Sequence, residues 1–138
     1  MIGVILISHG ELCKGMYESL KLFFGTDLSQ TIYLPLRTDD DTQKYSLMIE
    51  RRIRELDDGS GVLILVDVSG GTPANSILHL LSDRTKAITG MNLPMLLEIF
   101  SVRQQVKQIG ELDLNEIISR TRESIVNLNE LVKQMAVD

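Results

Sequence analysis

The sequence predicts an α/β domain with a mainly parallel open sheet and helices on both faces of that sheet. Short apolar runs alternate four times with segments whose apolar residues recur at helical spacing. Two of the runs, residues 2–7 and 61–67, are almost continuously apolar, which is typical of strands buried on both faces. Polar residues follow these runs directly, at the sheet edge where open α/β folds bind their ligands.

The first half of the chain predicts two strands, each followed by a helix. Residues 2–7 form the first strand, and the helix after it ends at Gly25. Residues 31–36 have the composition of a second strand, and the aspartates at 39–41 are N-cap candidates for the next helix. The apolar stripe of that helix consists of Tyr45, Met48, Ile49, Ile53 and Leu56.

The second half repeats the alternation and ends ambiguously. Residues 61–67 predict the third strand. Thr72-Pro73 predicts the start of a third helix, which continues through residues 77–81. Residues 87–89 predict a short fourth strand. Asn92 and Asp113 each precede a further helical segment. Residues 126–129 alternate at strand spacing, so the last segment is left open between helix and strand.

Composition limits the classes of protein to which the chain can belong. Its 138 residues and 15.5 kDa fit a single domain spanning residues 1–138. The net charge of −5 disfavours a nucleic-acid binder. A single cysteine, Cys13, excludes an internal disulfide, and neither a signal peptide nor a membrane-spanning stretch is evident. We therefore expect a complete, soluble cytoplasmic domain.

His9 and Asp67 are the first candidates for chemistry because each follows a buried strand. Histidine acts as a nucleophile or proton carrier near neutral pH, although a loop hydrogen bond is the alternative. An aspartate beside it accepts the Nδ1 proton and leaves Nε2 free to attack, whereas alone it would cap its own loop. Since both lie at one sheet edge, we predict that they pair.

The loop after Asp67 is the candidate anion site. Gly70 and Gly71 let the backbone approach a ligand, and Thr72 begins a helix whose N–H groups are unpaired. The spacing and the lysine of a P-loop are absent, so direct use of ATP is not expected. A histidine beside a carboxylate, with this loop near it, suits transfer of a phosphoryl group onto the histidine without a metal or cofactor.

The other chemistry-bearing residues have simpler interpretations. His79 is expected to be a surface or packing residue, and Cys13 a small buried one. The aspartates at 39–41 lack the spacing of a calcium loop. With two isolated histidines, a metal hydrolase is the weakest alternative.

Three ordered motifs stand out along the chain: residues 5–10 (Ile-Leu-Ile-Ser-His-Gly), residues 61–75 with Gly-Gly-Thr-Pro-Ala-Asn, and residues 90–96. Together they resemble the mannose-family enzyme IIA domain of the bacterial phosphoenolpyruvate-dependent sugar phosphotransferase system. The resemblance implies that Nε2 of His9 accepts a phosphoryl group from the phosphocarrier protein HPr and passes it to an enzyme IIB partner. It also implies that Asp67 is the acidic partner of the imidazole, with Thr72 where many members have serine. The family forms a homodimer that exchanges a C-terminal strand, which would explain the alternation at residues 126–129.

Two departures and two alternatives accompany the resemblance. An aromatic residue common in the family is missing from residues 69–74, and the chain ends at Asp138 without the linker that joins some members to IIB. The second departure implies that IIB is a separate protein. The resemblance also implies that the chain is linked to the membrane only indirectly, through transporter subunits. The alternatives are the related subunit that serves dihydroxyacetone kinase, and a regulatory module whose phosphorylation state a partner reads. The transported sugar is not encoded in these residues.

Overall fold

Four short apolar segments form one parallel sheet in the computed structural model, which describes residues 1–137. In chain order the strands are β1 (Gly3–His9), β2 (Thr31–Leu36), β3 (Val62–Val66) and β4 (Thr85–Thr89). Their order across the sheet is β2-β1-β3-β4, with all three pairs parallel. The α/β class, the parallel sheet and the four predicted strands are confirmed.

Six helices connect or follow the strands, and none within residues 1–137 is long and apolar enough to cross a membrane. They are α1 (Leu12–Phe24), α2 (Thr42–Leu56), α3 (Thr72–Asn75), α4 (Leu93–Val102), α5 (Leu114–Glu123) and α6 (Leu128–Val137).

The predicted helix boundaries are largely confirmed by the observed caps. The carboxylates of Asp41 and Asp113 accept the backbone N–H groups of Lys44 and Glu116, each at 3.0 Å, and the Asn92 side chain accepts that of Met95 at 3.0 Å. Each bond satisfies one N–H group that the first turn of a helix leaves unpaired.

The core lies on both faces of the sheet. Side chains of β1 and β3 alternate between a cluster under α1, α4 and α5 and a cluster under α2 and α3. Both central strands are buried along almost their whole length, which is why their sequences are continuously apolar. Because helices cover both faces of the sheet, the carboxyl ends of the strands are bordered by loops.

Proline in β2 marks this strand as an edge of the sheet. The carbonyl of Leu36 accepts the N–H of Gly10 at 2.7 Å and therefore faces β1. Its neighbour Pro35 faces the other way, because the backbone groups of successive strand residues point in opposite directions. The missing N–H of Pro35 is thus on the outer side of β2, where it disrupts no bond within the sheet.

The third helix is much shorter than the sequence predicts. It ends at Asn75, with Gly71 rather than Thr72 at its N-cap, and a separate 3₁₀ turn follows at Leu78–Leu80. Leu78 and Leu81 are exposed while Ile77 is buried. A longer helix would therefore have no continuous apolar face to bury, and the helix ends early.

The C-terminal segment is a helix, so the expectation of an exchanged antiparallel strand at residues 126–129 is wrong for this structure. The Asn127 side chain accepts the N–H of Asn129 at 3.0 Å, and its backbone carbonyl accepts the N–H of Leu131 at 3.0 Å. The alternation that suggested a strand covers only Val126 and Leu128. Beyond it the apolar residues recur at helical spacing: Leu128, Leu131, Val132 and Met135.

Candidate active site

His9 is the last residue of β1, and a buried serine holds the loop that follows it. The hydroxyl of Ser8 donates to the carbonyl of Gly10 at 2.9 Å and accepts the N–H of Cys13 at 2.9 Å. The residue before α1, Glu11, makes no side-chain cap, so Ser8 satisfies a first-turn N–H group instead. Sequence reasoning missed this role, although a serine directly before His9 was its visible signal.

His9 and Asp67 form the pair that the sequence predicts. Nδ1 of His9 lies 2.8 Å from Oδ2 of Asp67, and the same oxygen accepts the backbone N–H of His9 at 2.9 Å. An ionised carboxylate only accepts hydrogen bonds, so the ring must donate from Nδ1. Nε2 then carries the lone pair of the neutral imidazole.

The carboxylate is buried and the imidazole is not. Exposure of the side chains is 8% for Asp67 and 53% for His9. Desolvation raises the pKa of Asp67, but hydrogen bonds from the His9 backbone, the His9 ring and the Val68 backbone outweigh it, so the pKa lies below its ordinary value. Asp67 is therefore a buried anion that is hydrogen-bonded to a half-exposed ring.

Gly71 lies against the Cε1–Nε2 side of the imidazole. A Cβ atom at this position would stand 2.6 Å from Cε1 and 3.1 Å from Nε2 of His9. The backbone of Gly71 is extended, so the glycine is needed for space rather than for an unusual backbone angle. Gly70 is required for the opposite reason. A Cβ atom at this position would have no neighbour within 4 Å, but the φ of +80° disfavours any residue other than glycine.

Thr72 follows these glycines as the first residue of α3. Within residues 1–137 no hydrogen bond engages its hydroxyl, which is partly exposed beside a shallow groove of about 350 Å³. The structure thus places Gly71 in contact with His9 and brings Gly70 and Thr72 to the same loop.

Cys13 and His79 occupy the positions expected of them. Cys13 is fully buried, and burial raises the pKa of its thiol, which disfavours the thiolate. His79 is exposed on the 3₁₀ turn at Leu78–Leu80 and lines the same shallow groove as Thr72.

Comparison with known proteins places this chain and its fold among phosphotransferase system (PTS) components. A family model described as "PTS system fructose IIA component" matches residues 3–117. The fructose-specific EIIA component of Bacillus subtilis (strain 168) is 31% identical over 108 residues, covering 77% of this chain and 73% of the relative. The mannose-specific EIIAB component of Escherichia coli (strain K12) is 24% identical over 113 residues, covering 80% of this chain but only 35% of that longer protein.

Solved structures agree with the sequence relatives. The IIA protein associated with the fucose utilization operon of Streptococcus pneumoniae superposes with a TM-score of 0.82 at 25% identity, covering 94% of this chain and 95% of that one. Component EIIA from Streptococcus agalactiae gives 0.83 at 26% identity, covering 94% and 99%. With the family model matching most of its length, the chain belongs to the fructose/mannose family of PTS IIA components.

Proposed function

We propose that the chain is a phosphoryl relay in which Nε2 of His9 accepts a phosphoryl group from phospho-HPr and passes it to a IIB partner in the cytoplasm. Members of its family are phosphotransferase components. The observation that carries the proposal is the 2.8 Å contact between Nδ1 of His9 and Asp67, which leaves Nε2 of the half-exposed ring as the nucleophile.

Each transfer is a displacement at phosphorus. The Nε2 lone pair of His9 forms the new N–P bond as the N–P bond of the donor histidine breaks. The donor nitrogen keeps the bonding electrons, and the donor ring, which is protonated on its other nitrogen, leaves as a neutral imidazole. The Nδ1 proton stays on the ring, where Asp67 stabilises the positive charge that develops. The reverse roles apply when the group leaves for IIB.

The loop after Asp67 supplies the proposed phosphate contacts. Backbone N–H groups at Gly70 and Gly71 and the uncommitted hydroxyl of Thr72 are the proposed donors, because Gly71 lies against the His9 ring and Gly70 and Thr72 flank it in the chain. Donors of this kind stabilise phosphoryl oxygens because they are held in place before the reaction begins.

Apolar residues beside His9 suit docking of a partner protein. Leu12 and Val68 are exposed by 48% and 51%, and each follows the end of a central strand. Since a phosphoryl group on a protein reaches Nε2 only by contact between surfaces, an exposed apolar rim around the ring is expected.

Labelling with radioactive phosphoenolpyruvate, enzyme I and HPr tests the proposal. The wild type should be labelled and His9→Ala should not, while His79→Ala, which changes the other histidine, should label normally. Undiminished labelling of His9→Ala would contradict the proposal. Rapid loss of the label to a candidate IIB protein supports relay, and retention of the label would favour a regulatory module.

The chain is also proposed to form a homodimer, through the exposed apolar face of α6. Leu131, Val132 and Met135 lie on this face, and Ile125 before it lines a cavity of about 440 Å³ at the outer edge of β4. A second copy would cover both. Light scattering should give a dimer for the wild type and a monomer for the double variant Leu131→Glu/Met135→Glu. Leu22→Glu, on the exposed side of α1, is the matched control.

A further inference from the structure

Arg37 and Glu11 form an ion pair next to His9 on the side of β2. His9 lies opposite Leu36 in the register of β1 and β2, so Glu11 and Arg37 both emerge just beyond this pair. Nε and a second guanidinium nitrogen of Arg37 lie 3.1 and 3.0 Å from the same oxygen of Glu11. Neighbouring strands are only about 5 Å apart, so the backbones of Arg37 and Glu11 lie within one or two residues of the His9–Leu36 pair. Charges in water interact over about 10 Å at 0.1 M salt.

The pair is not explained by stability. Its side chains are 64% and 53% exposed, and ion pairs this open contribute little to folding. The turn after β2 is held instead by Asp40, whose carboxylate accepts the backbone N–H of Arg37 at 2.7 Å. The guanidinium is therefore available for another partner.

The surroundings make Arg37 important once a phosphoryl group is present. Glu11 and the aspartates at 39–41 give this rim of the site an acidic character. A phosphoryl group brings nearly two further negative charges. Arg37 is the basic residue closest in register to His9 on this side, and Glu11 holds it while the site is empty.

We infer that Arg37 and Glu11 set the phosphorylation equilibrium of His9 in opposite directions. Arg37 stabilises the phosphorylated state by its positive charge, and Glu11 opposes that state both by repulsion and by retaining Arg37. Arg37 acts as a charge-balancing residue rather than as a nucleophile or acid. This inference rests on the proposed phosphorylation of His9.

The test is the equilibrium constant for phosphoryl exchange between phospho-HPr and the chain, measured from the labelled fraction of each protein. An equilibrium constant does not depend on how the two proteins dock, so its change in a variant reports only the free-energy difference between the phosphorylated and the unphosphorylated chain. Arg37→Gln should lower the constant and Glu11→Gln should raise it, each by about threefold at low salt. Both shifts should shrink at 1 M salt, where screening is strong.

Arg54→Gln and Glu50→Gln are the matched controls. These residues form an equally exposed pair, 3.2 Å apart, near the C-terminal end of α2 and away from the site. The inference is overturned if Arg37→Gln and Glu11→Gln shift the constant in the same direction, or by no more than the controls. If the wild type itself takes no label, the proposed function fails and this inference fails with it.

A second measurement does not involve HPr. Phosphoramidate, a small phosphoryl donor, is used to load His9, and the phosphorus NMR signal of the product is followed during hydrolysis. Arg37→Gln should shift this signal and Glu11→Gln should shift it the other way. Identical signals in the two variants and the wild type would show that neither charge senses the phosphoryl group.

Discussion

A charged side chain lies at each end of the strands, Asp67 at the carboxyl ends and Arg103 at the amino ends, but the two charges have different roles. At the carboxyl edge Asp67 accepts a hydrogen bond from Nδ1 of His9, whose ring is half-exposed and whose Nε2 has no hydrogen-bond partner within residues 1–137. At the amino edge Arg103 is only 4% exposed and donates to the backbone carbonyls of Ile2 and Ser29 at 3.0 and 2.8 Å. The carboxyl edge keeps an atom available for reaction, and the amino edge uses its charge to tie segments together.

Arg103 shows what the structural use of a charge costs. No carboxylate pairs with it within residues 1–137, its Nε is buried without a hydrogen-bond partner, and its guanidinium lies 4.3 Å from the centre of the Phe100 ring. Burial lowers its pKa to about 10. It is thus still charged at neutral pH, and the carbonyls and the ring replace water around it.

The largest expected effect is on the rate of phosphorylation when Asp67 becomes Asn. The amide no longer enforces the Nδ1-protonated ring, so the rate of labelling by phospho-HPr should fall on the order of 100-fold. Because the pKa of Asp67 lies below its ordinary value, the wild-type carboxylate stays ionised between pH 5 and 8, and acid does not mimic the variant in that range. Stopped-flow or quench-flow labelling measures this.

Asp27→Asn, an exposed aspartate between α1 and β2, is the control for that change. A wild-type rate in Asp67→Asn would show that the carboxylate does not orient the ring, and the contrast between the two edges would then be lost.

The next effect concerns stability, through Arg103→Ala. The buried carbonyl of Ile2 and the partly buried carbonyl of Ser29 lose their donor, and a cavity opens beside Phe100. The free energy of unfolding should therefore fall by about 2–4 kcal/mol in urea titrations. The folded fraction should still be labelled at the wild-type rate, since the change lies at the opposite edge. A large loss of labelling rate without loss of stability would contradict this separation.

The smallest effects separate the two glycines of the loop. Gly71→Ala places a Cβ against the His9 ring and should slow labelling about tenfold, with little change in stability. Gly70→Ala meets no neighbour but is strained at φ +80°, so it should cost about 1 kcal/mol of stability and leave labelling within about twofold. Equal effects of the two variants on labelling would mean that Gly71 has no special relation to the ring.

Local sequence patterns were sufficient for the sheet and for the pair at its edge. Continuous apolar runs predicted β1 and β3, and strand ends followed by His9 and Asp67 predicted their meeting, because parallel strands bring their carboxyl ends together. The early end of α3 was not predictable, since it depends on which of the leucines after it are buried in the folded protein. Arg103 was missed for the same reason: its partners are backbone carbonyls far away in the chain, which no spacing reveals.

Pro35 has a consequence for the solution behaviour of the protein. A sheet can extend from one molecule to the next only if both of its edge strands have unpaired N–H and C=O groups with which another strand can pair. The proline removes a donor from the outer margin of β2, whereas β4 keeps its own. Pairing between molecules is therefore less favourable at β2 than at β4, which favours a closed pair over a filament.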